Sequence, residues 1–422
     1  MRRIASLLCT SFLLLGCAPR GAVRAALHSD LPTLQRAVAQ AEREGELDRA
    51  TVRELADAVA RRELQSAKGA SGVRRVRSLR ACARPLLPAL RDRSGQQDEI
   101  GAEAMLVRLT QNDVSASGLF ERHRSATSGA WRAVAARSAL EPRDVPSRRR
   151  WFLDPDERVR RAAFEAALAA PDPTDLDAVL EAFRLDPDPL SRSLAARVAG
   201  AIGGESSVLG LQDRFTRADE PGRLAIIDAW AMKASLEHGG ARALRKVAEL
   251  RRGVVSVSAA QALLRTGDRD GSLVGLLLMA VTHGSELEQR LAITWIPVTD
   301  ARVLPALKVA AADANAEVRV LALARLLELP AEAPAATRSL RAMLVKGEGA
   351  VAARATLAAA GDKSIIGALR TEVREGHPFR RPQAALALYQ LGDAPGTAWA
   401  LVDADAGVRT TTACGVLARS GS

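Results

Sequence analysis

From about residue 84 to residue 419 the chain alternates short apolar stripes with turns rich in Asp, Pro and Gly. Leu176-Asp-Ala-Val-Leu-Glu-Ala-Phe183 carries its apolar residues on one helical face, so the spacing predicts a first helix. Asp186-Pro-Asp-Pro then reads as a turn, with Asp available to cap the next helix and Pro set near its first turn. Leu194-Ala-Ala-Arg-Val-Ala-Gly-Ala-Ile202 predicts a second helix, and Gly203-Gly204 ends it. The same order returns in Pro85-Leu-Leu-Pro-Ala-Leu before Ala102-Glu-Ala-Met-Leu-Val, and in Leu304-Pro-Ala-Leu-Lys-Val-Ala before Leu321-Ala-Leu-Ala-Arg-Leu-Leu. No sustained period-two alternation competes with this pattern, so the fold class is all-α.

The unit repeats. Asp154-Pro-Asp-Glu-Arg-Val-Arg160 recurs as Asp186-Pro-Asp-Pro-Leu-Ser-Arg192, Asp313-Ala-Asn-Ala-Glu-Val-Arg319 and Asp403-Ala-Asp-Ala-Gly-Val-Arg409. With that Arg as a marker, equivalent positions fall at Gly101, Arg132, Arg160, Arg192, Arg223, Ser256, Arg290, Arg319, Ala353, Arg381 and Arg409. They are 28 to 34 residues apart, a period that marks a repeat architecture in which each helix pair buries its face on its neighbours. On these residues the chain resembles the short bacterial HEAT repeats. The resemblance implies a right-handed α-solenoid of stacked antiparallel helix pairs, a HEAT-like superhelix, over 84–422. It also implies a structural ladder of Asp154, Arg160, Asp186, Arg192, Asp313, Arg319, Asp403 and Arg409. Gly284 and Gly347 stand at Asp positions, and Ser256 and Ala353 at Arg positions, so the ladder is expected to weaken between about 217 and 353.

The amino terminus reads as an address. Arg2-Arg3 precedes the apolar run Ile4 to Gly16, which is shorter than the roughly 20 residues a spanning helix needs. Leu14-Leu15-Gly16-Cys17 resembles the lipobox of bacterial lipoproteins, which implies a signal peptide over 1–16 and a lipidated, palmitate-bearing Cys17. Ala18 after that Cys implies, by analogy with two-membrane bacteria, a place in the outer membrane or another periplasm-facing membrane. Residues 17–30 then read as a tether and 31–83 as an amino-terminal helical cap. Helices are expected at about 31–44 and 48–66, and Gly69-Ala-Ser-Gly72 as a loop.

Composition adds little chemistry. Aromatic residues are 3% of the chain, so Ala, Leu and Val must build the core, and no stacking platform for bases is apparent. The net charge of +11 invites a nucleic-acid reading, but acidic residues are interleaved along most of the chain, and nucleic acid is not an expected partner. Arg74-Arg75-Val-Arg77 and Arg148-Arg149-Arg150 are the main basic clusters and read as solvated surface, with contact to an acidic partner or anionic head groups as the alternative.

His28, His123, His238, His283 and His377 show no i, i+4 pairing, so no metal is expected. Nucleophile elbows and phosphate loops are also absent from the sequence, and neither cofactor nor catalytic residue is assigned. Cys9 falls in the signal peptide. Cys82 and Cys414, more than three hundred residues apart in what reads as a linear stack, are expected as separate small core residues. The functional expectation is a membrane-anchored envelope lipoprotein that serves as a protein-interaction scaffold for an unidentified envelope protein. The alternative is a HEAT-like lyase, or an enzyme partner, that handles a prosthetic group.

Overall fold

The computed structural model describes residues 21–251 and 253–420. The signal-peptide and lipidation expectations at 1–16 and Cys17 lie outside them. The described residues are helical with short turns, and the chain forms two units: 97–360, and 1–96 together with 361–422.

The 97–360 unit is a stack of helix pairs of the HEAT-like kind. Its second helices form a row in which each touches the next: Glu99–Thr110, Gly129–Ser138, Glu157–Ala169, Pro189–Ile202, Glu220–Trp230, Gly253–Arg265, Glu286–Trp295, Ala316–Leu327 and Ala350–Ala359. From Gly129–Ser138 onward, each is preceded by a first helix packed against it, beginning with Ser117–His123 and ending with Ala333–Lys346. Every marker position lies within the first five residues of a second helix. Small side chains allow the row to close up. A Cβ on Gly200 would stand 2.6 Å from the carbonyl oxygen of Ala229 in the next second helix, so this crossing admits only glycine.

Two aspartates divide the work at the turn. The first aspartate accepts the amide two residues on: Asp154 from Asp156 at 2.8 Å and Asp186 from Asp188 at 2.9 Å. The second caps the helix, Asp156 accepting from Arg158 N–H and Asp188 from Leu190 and Ser191. In the Asp186 turn the cap is therefore Asp188, which leaves the Asp186 carboxylate available to a neighbouring repeat.

The other unit joins the two ends of the chain. Here the row runs Arg381–Leu391, Ala406–Ser420 and then Arg49–Gln65, while Leu31–Arg43 touches Ala394–Leu401. The pair at 31–65 thus stacks on the last repeat in the manner of a following one. Arg49–Gln65 also packs on Ala83–Ser94, and Gly21–His28, within the segment expected as a tether, is a helix packed on both members of the pair. Gly69-Ala-Ser-Gly72 is not a loop either. It opens the helix Gly69–Ser78, because Gly72 is buried and its amide donates back to the Lys68 carbonyl at 3.0 Å.

The expectation for the cysteines is overturned. Cys82 and Cys414 form a disulfide, their Cα atoms 5.2 Å apart. The period places each repeat next to its neighbour, but it is silent about where the ends go. Here Leu79–Cys82 lies against Ala406–Ser420, and the two thiols meet.

Candidate functional site

Each ladder arginine works in two directions. Arg160 donates from Nη1 to the carbonyls of Asp154 and Pro155, back across its own turn. Its Nε and Nη2 reach forward to both oxygens of Asp186, at 2.7 and 3.0 Å. Arg192 repeats this with the Asp186 carbonyl and Asp219, and Arg132 with the Thr127 carbonyl and Asp154. Arg319 turns back to Asp313 and Ala314 but pairs forward with Glu348, which is 67% exposed. Arg381 meets Asp403, and Arg409 turns back to the Asp403 carbonyl.

The forward partner of Arg409 is Glu63, whose Oε1 accepts from Nε at 2.7 Å while Oε2 accepts from Arg75 at 2.8 Å. Glu63 is almost wholly buried. It was not anticipated, yet it follows Ala56, Val59 and Ala60 on one helical stripe, and those residues are buried. That spacing was the available signal.

Around residues 220–300 the rungs change character. Arg223 rests on the carbonyls of Phe215 and Thr216. Ser256 donates to the Ala248 carbonyl, and Glu288 reaches backward to the amide of Gly253 at 2.7 Å. The marker at Arg290 is one residue out of register. Gln289, the fourth residue of its helix, occupies the rung and donates to the Val281 carbonyl and to Asp313, whereas Arg290 pairs with Glu317.

Buried and exposed rungs should therefore differ in weight. Asp186→Ala is expected to lower stability by about 1.5–3 kcal/mol, the range for hydrogen bonds to charged groups. Glu348→Ala should change it by less than about 1 kcal/mol, as for exposed ion pairs. Urea unfolding monitored by circular dichroism checks this, and equal effects would remove the distinction.

The Arg148-Arg149-Arg150 cluster is not a solvated face. Arg148 is fully buried and bonded to the fully buried Asp175 and to the Ala139 carbonyl, and Arg149 also reaches Asp175. Arg148 lies between buried Val145 and Phe152 at helical spacing, which turns it inward. Elsewhere, Arg161 bonded to Asp188 holds that carboxyl well below the usual carboxylate range. His123 is buried and stacked on Trp131 with ring centroids 4.4 Å apart, and burial pushes its imidazole pKa down. Among the described residues no group of three or more His, Cys, Asp or Glu side chains could hold a metal ion, and no helix is long and apolar enough to cross a membrane.

In the stretch where the rungs change, open hollows lie beside the second helices. A groove of about 660 Å³ is lined by Gln261, Leu264, Arg265, Asp268, Trp295 and Pro297, among others. A second hollow of about 250 Å³ shares Gln261, Arg265 and Trp295 and extends to Leu224 and Asp228 on the preceding second helix. Trp295 is 49% exposed. The Arg265 guanidinium lies 6.0 Å from the Trp295 ring centroid, and its Nη2 is 3.8 Å from Asp228 Oδ1. Gln261 is fixed by donating to the Leu291 carbonyl at 2.6 Å. This arrangement offers a half-exposed aromatic ring, a charged fork and an open hollow.

The chain matches no protein-family model and no curated protein. Among solved structures, similarity is found to a Kap121p triple mutant, at a TM-score of 0.31 and 11% identity over 95% of this chain. The match spans 48% of the Kap121p chain, about half its length. An engineered protein is similar at a TM-score of 0.23 and 16% identity, covering 94% of this chain and 98% of that one.

Proposed function

We propose that this protein is a membrane-anchored lipoprotein of the bacterial envelope whose HEAT-like helix pairs act as a scaffold for an envelope protein partner, without catalysis. The observation that carries the binding role is the groove around Trp295 on the row of second helices. Trp and Arg dominate the energetics of protein interfaces, and a half-exposed Trp beside a hollow is a suitable anchor point. The envelope location is supported by the Leu14-Leu15-Gly16-Cys17 pattern and, independently, by the Cys82–Cys414 disulfide, a bond that persists in oxidising compartments. The disulfide also counts against the lyase reading, since the two thiols available to it as nucleophiles are oxidised into one bond.

Chemical crosslinking in intact host cells, followed by recovery of a tagged full chain, tests the proposal. Native protein is expected to capture one dominant envelope protein. Trp295→Ala should reduce that capture by tenfold or more, the weight of a typical hot-spot residue of about 2 kcal/mol, and Cys17→Ala should weaken it by releasing the chain from the membrane. Undiminished capture by Trp295→Ala would remove the groove from the interface. Turnover of a substrate by the purified protein would remove the non-catalytic reading.

A further inference from the structure

The helix Gly69–Ser78, the 3-10 turn Leu79–Cys82 and the helix Ala83–Ser94 follow one another without a break. Their inward positions are Gly72, Val76, Leu79, Cys82, Leu86 and Leu90, spaced three or four apart and all buried. The opposite side is different. Lys68, Arg74, Arg77, Arg80, Arg84 and Arg91 are all exposed, and between Arg74 and Arg84 they too recur at three- and four-residue spacing.

Between Glu63 and Asp92 the chain contains seven basic residues and no acidic one. The remaining described residues of this unit cancel: 21–63 hold seven basic and eight acidic residues, 361–420 hold seven and six, and Asp92 offsets Arg93. Among the described residues of this unit, the net charge thus sits on this one stretch. Arg75 turns inward, to Glu63. The stripe is held rigidly, because Cys82 at its centre is buried and bonded to Cys414. The residues exposed between the cations include Ala81, Pro85 and Pro88, small side chains that leave no ridge and no aromatic platform.

We propose that this basic stripe is a binding surface for anionic lipid head groups, a second membrane contact beside the anchor; it rests on the membrane part of the proposed function. A single acyl chain anchors only marginally and reversibly, and stable attachment takes a second signal, such as a further acyl chain or a basic patch. The geometry suits that combination. Cys17 lies four residues before Gly21, so the anchor holds this unit within about 14 Å of the bilayer, the reach of four extended residues. A flat row of cations complements a surface of phosphate charges, whereas a base-reading protein needs stacking groups that the stripe lacks.

The test uses the full chain with only the leader 1–16 omitted and Cys17→Ala, oxidised, so that binding cannot come from acylation. It is sedimented with vesicles of phosphatidylcholine alone and of phosphatidylcholine with about one third phosphatidylglycerol. Binding is expected to the anionic vesicles only, and to fall steeply with salt. Each cation contributes roughly fivefold. Lys68→Gln/Arg74→Gln/Arg77→Gln/Arg84→Gln should therefore weaken binding on the order of a hundredfold or more, and the milder Arg74→Gln/Arg84→Gln by about 25-fold, with helix content retained. The inference is overturned by equal binding to both vesicle types, by no binding, by undiminished binding of both folded variants, or by tighter retention of duplex DNA at the same ionic strength. Palmitate labelling of the native full chain is read separately. Lost labelling with intact vesicle binding removes the anchor alone, and labelling without vesicle binding removes the stripe alone.

Discussion

Reducing the Cys82–Cys414 disulfide is expected to lower the stability of the unit that joins the chain ends by about 4–5 kcal/mol. The bond spans a sequence separation of 332 residues. In the chain-entropy account, a crosslink restricts the unfolded ensemble by an amount that grows with the logarithm of the loop, already about 4.7 kcal/mol for a loop of 100 residues. Residual structure in the unfolded repeats offsets part of the further gain, which keeps the expectation near the 100-residue value. The native side of the balance changes little, since Cys82 and Cys414 lie in packed surroundings that would keep two thiols buried. Hydrogen exchange over Arg49–Gln65 and Ala406–Ser420, with and without reductant, gives the local reading. Global melting of a repeat array need not be two-state, so one midpoint is a poorer guide. Cys82→Ala/Cys414→Ala should behave as the reduced protein does. Unchanged protection in both would mean that the noncovalent contacts alone hold the ends together.

The sequence carried the repeat far better than the joining of the ends, and for a physical reason. A period reports relations between neighbours: the markers from Gly101 to Arg409 all fall at the starts of second helices because each repeat faces the same local problem of capping and stacking. A drift of one residue is within the tolerance of such counting, which is how Arg290 came to stand for Gln289. The contact of Leu79–Cys82 with Ala406–Ser420 belongs to no period. Its trace was arithmetic: once Cys9 and Cys17 are set aside as the expected leader and lipidation cysteines, two cysteines remain, the number that one disulfide pairs. The arginine clusters failed differently. A run of charges looks solvated when read as composition, but the inward stripe of a helix passes through it. It takes Arg148 to Asp175 and Arg75 to Glu63, and it leaves Arg74 and Arg77 outside. Of the candidate groove, nothing was legible beyond the weakening of the ladder. Trp295 and Arg265 meet through the stacking of two repeats, which residue spacing alone does not resolve.

Glu63→Ala is expected to cost about 3–5 kcal/mol, the range for breaking a buried ion pair by removing one partner. The carboxylate is the shared acceptor of two arginines, and its side chain is 2% exposed. Without it, Arg409 retains the carbonyls of Asp403 and Ala404 on one side, but its Nε and Nη2 lose their acceptor in a largely buried place. Arg75, more exposed at 19%, can turn toward water, so most of the penalty falls on Arg409. Three comparisons separate this account from a general packing defect. Glu63→Gln keeps an acceptor oxygen while losing the charge, and should fall between native and Glu63→Ala. Glu54→Ala, an exposed carboxylate on the same helix, should stay within about 0.5 kcal/mol of native. In a double-mutant cycle with Arg409→Ala, the paired loss should be smaller than the two single losses added, by roughly 1–3 kcal/mol, because the second change removes the stranded guanidinium that made the first so damaging. Denaturant unfolding of the four proteins with the disulfide intact measures the coupling. Strict additivity would show that Glu63 stabilises the helix Arg49–Gln65 on its own account and not as the last rung of the ladder.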